Sequence, residues 1–479
     1  MKFKLGRKSY LALTIGGWFL FIGFAIFKID EVKTRPIISE LIVSAFLVQL
    51  SVMNFIWNWY KRQRPTLLDW FRLSTFLAVV YSYFKLIDKF DGKIDWVYGS
   101  QYFDRFYILP SLLVVLCGLS TLFISENLLR YIIKKRESIR NFSNTSYEIR
   151  SKAVFYPIVF IVLGIQAYLL ISGKVGYGAK AEDATGAFSF VQQIFLSLST
   201  FIFSALAIFK YSLNEKSRTL NFTFYFYFAC QILLGLLSGM KGNVIYTFVI
   251  VLIPFLFSGR IVPKKYIIMA VIPALLLYPL MDNYRDTLRD FPKLSKEKSF
   301  GLALGKTFGT ELTSNISAGG DKYTSRMEMF PALLTSVELE PQWKEYKDMT
   351  RYIYIPVSFF PRVIIPGKPI ADTGEKLNYM ISGLTGSSQT PTTFGWAYLE
   401  GGYTYVVLSF LIFAIFICFL EFKIGADSLL GLLIYISLIV TLFVVEHDIY
   451  FILSKILQNL VVYYFFYKLL FREKQKVKT

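Results

Sequence analysis

Charged residues, cysteine and histidine are scarce in this chain of 479 residues. Only 18% of the residues are charged, whereas 54% are hydrophobic and the mean hydropathy is +0.48. A soluble chain of this length would divide into domains with charged surfaces, so the composition excludes that class. There is one histidine, His447, and each of the three cysteines (Cys117, Cys230 and Cys418) lies in an apolar run. The sequence therefore predicts no disulfide framework, no metal site and no cofactor.

The formal net charge of +19 is the one feature that suggests a nucleic-acid partner. However, the basic residues are not gathered in one domain with interleaved aromatic side chains, as nucleic-acid binding requires. They lie mostly in short segments between apolar runs, where Lys and Arg set membrane topology and contact anionic headgroups. The charge therefore indicates a membrane partner and no nucleic acid.

Apolar runs recur along most of the chain. Helices that are apolar on every face and about 20 residues long suit hydrocarbon as their solvent. The runs are at residues 10–27, 37–59, 67–87, 106–124, 153–172, 188–210, 220–239, 243–258, 266–281, 402–422, 427–445 and 449–470. The sequence predicts an all-α polytopic membrane protein with about twelve membrane-spanning helices. Because no small-residue cleavage site follows the first run, we expect that helix to be retained.

The distribution of Lys and Arg predicts the orientation of these helices. With the N-terminus inside, the inner segments hold 26 basic residues and the short outer segments hold 10. Cytoplasmic segments carry the excess of positive charge, so we expect both termini in the cytoplasm of a polytopic inner-membrane protein.

One segment, residues 282–401, is too long for an ordinary connection between helices. It follows helices one to nine (residues 1–281) and precedes helices ten to twelve with the basic tail (residues 402–479). It contains enough aromatic residues to pack onto the membrane domain. We expect an ordered extracytoplasmic loop, with short amphipathic helices near residues 300–315 and 328–349.

Two basic candidates flank the eighth and ninth helices. Lys241 lies in the turn Ser238–Asn243, where two glycines let the chain reverse. It is either a lysine that snorkels from a helix end or a cation aimed at a lipid-linked phosphate. Arg285 follows helix nine and either contacts headgroups or pairs with Asp286 and Asp290.

A proline-rich stretch supplies further cations. Prolines between residues 356 and 369 hold the backbone in an extended path, which can present Arg362 and Lys368 at fixed positions. The planar guanidinium of an arginine gives a diphosphate two parallel hydrogen bonds. The alternative is a surface loop with incidental cations.

Two candidates for acid–base chemistry lie near the last three helices. Glu400 follows Trp396 and Tyr398, which alone would suit an interfacial aromatic belt. A carboxylate near hydrocarbon is costly, and a partly apolar site can raise its pKa enough for it to act as a base. His447 lies in the turn Glu446–Asp448, which is either catalytic or an ordinary polar hairpin tip.

The order of these motifs resembles that of the O-antigen polymerases (Wzy), a family of oligosaccharide repeat-unit polymerases. The resemblance covers residues 222–422. It rests on Gly239-Met240-Lys241-Gly242, Tyr284-Arg285, Arg326, Phe360-Pro361-Arg362 with Lys368-Pro369, Pro391 through Gly395, and Glu400-Gly401-Gly402. Met240 departs from the small residue that the family tends to carry there.

The resemblance implies a GT-C-like architecture and a glycosyltransferase that acts on undecaprenyl-diphosphate-linked glycans. It moves a glycan chain en bloc onto another lipid-linked repeat unit, and its partners would include membrane lipids and a chain-length regulator protein. The enzyme must neutralise charge on a leaving diphosphate and deprotonate a sugar hydroxyl. Glu400 is the favoured base and His447 the second choice. The diphosphate ligands would be Lys241, Arg285, Arg326 and Arg362, with Arg351 and Lys368 in support.

Three other functions compete with this one. A glycan ligase shares the lipid-linked donor and transfers finished polymer to lipid A core or another acceptor. A lipid-linked oligosaccharide flippase or transporter would suit twelve helices, although no pair of broken helices lies in corresponding halves of the chain. A non-catalytic assembly scaffold is the third alternative.

Overall fold

The computed structural model shows a helical bundle. The structure describes residues 7–31, 36–62, 65–90, 95–98, 101–133, 146–175, 187–258, 279–288, 290–291, 294–309, 329–344, 347–360, 364–365, 367–369, 373–383, 390–424 and 428–474.

Long helices account for the first half of the described chain. Two of them continue through a π-helical turn, at Gln49–Met53 and at Phe76–Val80. The helices are α1 (Arg7–Glu31), α2 (Pro36–Val48) continuing into α3 (Asn54–Arg62), α4 (Leu67–Thr75) continuing into α5 (Tyr81–Phe90), α6 (Ile108–Ile133), α7 (Lys152–Ile171), α8 (Ala187–Tyr211), α9 (Arg218–Leu237) and α10 (Lys241–Phe257).

The second half contains shorter helices and, near its end, two long ones. Residues 279–288 are helical, and two 3-10 segments lie at Glu340–Gln342 and Lys347–Tyr354. The remaining helices are α11 (Lys296–Phe308), α12 (Phe330–Leu339), α13 (Thr373–Ser382), α14 (Thr393–Leu399), α15 (Gly402–Ile424), α16 (Leu429–Leu442) and α17 (Ile449–Leu470).

Seven of the described helices are long and apolar enough to cross a membrane, which confirms the helical membrane class. They are Ile38–Lys61, Arg105–Ile132, Lys152–Ile171, Gln192–Tyr211, Arg218–Leu237, Gly402–Ile424 and Ile449–Leu470. Two shorter apolar helices, Gly242–Phe257 and Leu429–Leu442, coincide with two further predicted runs. The ninth predicted run lies mostly outside the described residues, so the number of twelve spans stays a prediction.

The described residues form two small antiparallel sheets, and the second of them shows which helix ends lie together. Strands β1 (Asp95–Tyr98) and β2 (Gln101–Asp104) form a hairpin before α6. Strand β3 (Ser146–Ile149) pairs with β4 (Phe471–Lys474), so the start of α7 and the end of α17 lie at the same end of the bundle. We call this the tail end, and we call the opposite end, where α17 begins, the loop end.

The predicted large loop contains helices that pack on the bundle. Phe330, Leu333 and Leu334 of α12 are fully buried in the main hydrophobic core. The amide of Met329 donates to the carbonyl of Ala78 over 3.0 Å, within the π-helical turn between α4 and α5. Helix α11 overlaps the helix expected at 300–315 but ends at Phe308, and α12 covers part of the one expected at 328–349.

Candidate functional site

Three ionisable residues meet in the interior at the loop end, and we call them the loop-end triad. Arg351 Nη1 donates to Asp448 Oδ2 over 2.8 Å, and Arg351 Nη2 donates to Glu400 Oε1. The side chains of Arg351 and Glu400 are each 2% exposed, and that of Asp448 is 6% exposed. A buried arginine therefore holds two carboxylates that the chain supplies from segments 48 residues apart.

Short connecting segments, rather than long helices, carry the triad. Arg351 lies in the 3-10 segment Lys347–Tyr354. Glu400 caps the C-terminus of α14, and the chain then enters α15 at Gly402, whose φ of +72° suits glycine because it has no Cβ. Asp448 is the N-cap of α17 and accepts the amide of Phe451 with Oδ1 over 2.5 Å. Capping thus orients Asp448 toward Arg351.

The start of α14 is fastened to the turn before α17. The amide of Thr393 donates to the carbonyl of Val445 over 2.7 Å, and its hydroxyl donates to the carbonyl of His447 over 2.7 Å. Thr392 caps α14 by accepting the amide of Gly395 over 3.1 Å. These contacts hold Glu400 and Asp448 in a fixed relation to each other.

Burial sets the protonation of the triad. Loss of hydration raises the pKa of Glu400 to about 7; Arg351 opposes this rise, and the nearby Asp448 adds to it. Burial disfavours the charge of Arg351, but Asp448 and Glu400 more than compensate and raise the pKa of the guanidinium. Among the described residues, Glu400 Oε2 has no hydrogen-bond partner. A carboxyl group that exchanges its proton near neutral pH is suited to acid–base catalysis.

His447 lies beside the triad but has different properties. Its ring packs on Phe451 with the centroids 4.4 Å apart. Burial and the nearby Lys455 lower the pKa of His447 to about 3, so the imidazole is neutral at physiological pH. Sequence reasoning did not single out Lys455, although an ionisable residue two turns inside an apolar helix is a recognised signal of function. Its Nζ lies 5.8 Å from the ring centroid of Phe451.

The structure brings two of the predicted basic motifs together. Arg285 Nε donates to the carbonyl of Gly239 over 2.7 Å, and the Tyr284 hydroxyl donates to the carbonyl of Leu237 over 3.1 Å. Gly239 has a φ of +68°, which lets the chain turn between α9 and α10. Residues 284–285 therefore lie directly against the turn that precedes Lys241.

The start of α10 lies at the same end of the bundle as the turn that carries His447. Glu446 is close enough to Tyr246 of α10 to act on its hydroxyl electrostatically.

The other predicted diphosphate ligands differ in whether the structure describes their side chains. Lys368 Nζ donates to the carbonyls of Ser358 and Phe360, in the latter case over 3.4 Å. Gln458 of α17 donates to the same Ser358 carbonyl over 2.8 Å. Lys241 is the first residue of α10, but its side chain lies outside the described residues, as do Arg326 and Arg362. Within the described part of the chain, Arg351 is the only one of the six predicted diphosphate ligands that contacts Glu400.

A second buried cluster, the tail-end cluster, was not anticipated from the sequence. Arg72 Nη1 lies 3.0 Å from Asp69 Oδ1 and 2.6 Å from Glu126 Oε2. Arg130 Nε lies 2.8 Å from Glu126 Oε1, and Arg130 Nη2 lies 2.9 Å from Glu421 Oε2. The arginines link α4, α6 and α15. The residues lie in helices that the sequence marks as apolar, and only their spatial proximity identifies the cluster.

No group of three metal-binding side chains is present in the part of the chain that the structure describes. The fold and the two clusters define a helical membrane protein with buried ionisable groups at both ends of its bundle. A family model described as a domain of unknown function, DUF8712, matches residues 150–477, which is more than half of the chain. The protein belongs to the DUF8712 family. No curated protein and no solved structure matches it.

Proposed function

We propose that the protein is a glycosyltransferase that polymerises undecaprenyl-diphosphate-linked oligosaccharide repeat units into a surface polysaccharide. The observation that carries the proposal is Glu400, a buried carboxyl group whose pKa is raised to about 7 and which Arg351 holds in place. In this proposal the loop end faces outward from the bacterial inner membrane. The chain crosses the membrane twelve times, and both termini are cytoplasmic.

The proposed reaction needs one proton acceptor and one anion site. The hydroxyl oxygen of the acceptor sugar attacks the anomeric carbon of the donor, and the bond from that carbon to the lipid diphosphate breaks. The carboxylate of Glu400 takes the hydroxyl proton, and the diphosphate leaves with the bonding electron pair. Because the diphosphate is already a good leaving group, the protein mainly needs to position it and to neutralise its charge.

The contacts of Arg351 support a positioning role for it in this mechanism. Its guanidinium is occupied by Glu400 and Asp448 and is 2% exposed. Arg351 therefore positions the proposed base. The residues that bind the diphosphate in this proposal are Lys241, Arg285, Arg326, Arg362 and Lys368. Contact between Arg285 and the turn at Gly239 supports a shared site for two of these cations.

The test is the length of the polysaccharide made in vivo by variants expressed at normal levels. We expect Glu400→Gln to reduce long-chain product at least 100-fold, because general-base catalysis contributes about 10²–10⁴-fold. Arg362→Ala should also leave single-repeat products. The matched control is Arg472→Ala, which removes a 58% exposed arginine at the tail end. Full-length chains from Glu400→Gln would rule out Glu400 as the base.

A deletion strain separates polymerase from ligase. Loss of a polymerase leaves single repeat units attached to the acceptor, whereas loss of a ligase leaves long chains unattached. The second candidate function is a lipid-linked oligosaccharide flippase. It is favoured by Lys455, since an ionisable residue inside a membrane helix often serves transport. Accumulation of repeat units on the cytoplasmic side in the deletion strain would indicate the flippase.

A further inference from the structure

The short helix α16 leaves a cleft at the tail end of the bundle. It has 14 residues, whereas its neighbours α15 and α17 have 23 and 22. At 1.5 Å per residue, α16 is about 21 Å long, which is shorter than the roughly 30 Å thickness of the hydrocarbon layer. A cavity of about 440 Å³ lies where α16 begins, between the last residues of α15 and the second half of α17.

The walls of this cleft are apolar and its rim is polar. Four apolar side chains line the interior of the cleft: Ile424, Leu430, Ile434 and Leu460. Gly431 leaves space in one wall because it has no side chain. Tyr464 lines the cleft as well and is 57% exposed. Tyrosine at this position is typical of the boundary between hydrocarbon and headgroups.

Two lysines stand at the rim. Lys423 lines the cleft and is exposed, and Lys468 Nζ lies 5.8 Å from the ring centroid of Tyr464. No carboxylate lies within ion-pair distance of either lysine among the residues that the structure describes. Two cations that have no counter-ion among the described residues, beside an apolar cleft, are complementary to a ligand with an anionic head and a hydrocarbon tail.

We propose that this cleft binds an anionic phospholipid from the leaflet at the tail end. Its phosphate lies at Lys423 and Lys468, and an acyl chain lies along Ile424, Ile434 and Leu460. The lipid completes the packing that the short α16 leaves open between α15 and α17. This site is separate from the loop-end triad, and the proposal holds whatever reaction the protein catalyses.

Native mass spectrometry of the full chain in detergent, with added lipid, tests the proposal. We expect phosphatidylglycerol or cardiolipin to bind at least tenfold more tightly than phosphatidylcholine. Lys423→Gln should weaken that binding about fivefold, since a lysine near an anionic headgroup contributes about 1 kcal/mol. The control is Lys216→Gln, which removes an exposed lysine between α8 and α9. Equal binding of the three lipids, or equal losses in the two variants, would overturn the proposal.

A second variant tests the apolar wall. Gly431→Leu should fill the cleft and reduce the binding of anionic lipid more than Lys423→Gln does. If Gly431→Leu does not fold, Lys423→Glu tests the proposal instead. The exposed position of Lys423 tolerates charge reversal, and the new carboxylate should repel the anionic lipid. Co-purification of a prenyl diphosphate that disappears in Lys423→Glu would also overturn the proposal, since the cleft would then hold the lipid carrier and not a phospholipid.

Discussion

The loop-end triad and the tail-end cluster are both built from arginine–carboxylate ion pairs but differ in how completely their carboxylates are hydrogen-bonded. At the tail end, Glu126 uses both oxygens, one for Arg72 and one for Arg130. Asp69 accepts from Arg72, from Asn58 over 2.8 Å and from the amide of Thr66 over 2.8 Å. At the loop end, Glu400 Oε2 has no partner among the described residues.

This difference separates a structural cluster from a candidate catalytic one. A buried carboxylate whose oxygens are both bonded stabilises one arrangement, whereas a buried carboxylate oxygen without a partner is costly and needs a functional explanation. The secondary-structure elements that carry the two clusters agree with this distinction. The tail-end arginines join long helices, while the triad is carried by a 3-10 segment and two helix caps. The family match includes the whole triad but only Glu421 of the tail-end cluster.

The largest expected effect comes from Arg72→Met. It leaves Asp69 and Glu126 buried without their shared cation, and breaking a buried ion pair in this way costs about 3–5 kcal/mol. We expect a large loss of folded protein, measured by thermal unfolding and size-exclusion chromatography in detergent. The control is Arg472→Met, which removes an exposed pair with Glu148 and should cost less than about 1 kcal/mol. Equal thermal stability of the two variants would show that the tail-end cluster is not structural.

The corresponding change at the loop end, Arg351→Met, should cost less stability than Arg72→Met. Because the pKa of Glu400 is already raised to about 7, this residue can take up a proton when its cation is removed. We expect a destabilisation of about 1–3 kcal/mol, as for other buried polar groups that lose a partner. Polysaccharide synthesis should nevertheless be lost, because Glu400 is no longer positioned. A variant less stable than Arg72→Met would contradict this contrast between the clusters.

A pH series sharpens the comparison further. The folded-state pKa of Glu400 lies above its ordinary value of 4.5, so the folded protein binds the proton more tightly than the unfolded chain. This contribution to stability is complete below pH 4.5 and is lost as the pH rises through about 7, with a slope of at most about 1.4 kcal/mol per pH unit. Glu400→Gln should abolish the slope in that window, as measured by thermal unfolding. A slope that persists in Glu400→Gln must come from another group.

Activity should have the opposite pH dependence in the unmodified protein. A general base must be deprotonated, so turnover should rise with pH and level off above about 7. This profile distinguishes a base from a purely structural carboxyl group, whose protonation would change stability without setting the rate.

Local pattern predicted much of this architecture because an apolar run of about 20 residues is sufficient to indicate a membrane helix. It also singled out Glu400 and His447, since polar residues next to apolar runs are conspicuous. It did not predict that Arg351 would pair with Glu400 and Asp448, because the three are far apart in sequence and no periodicity relates them. For the same reason it missed the partnership of Arg72 with Glu126, which depends on how α4 packs against α6.

The smallest expected effect is that of His447→Gln. Burial and Lys455 lower the pKa of His447 to about 3, which makes the neutral ring a weak proton acceptor. Its structural contact with Thr393 uses the backbone carbonyl and survives the substitution. We therefore expect polysaccharide synthesis to fall less than tenfold and the melting temperature to change little, with both measured beside Glu400→Gln. If His447→Gln instead lost as much activity as Glu400→Gln while remaining folded, the role of base would pass to His447, and the raised pKa of Glu400 would reflect only its burial.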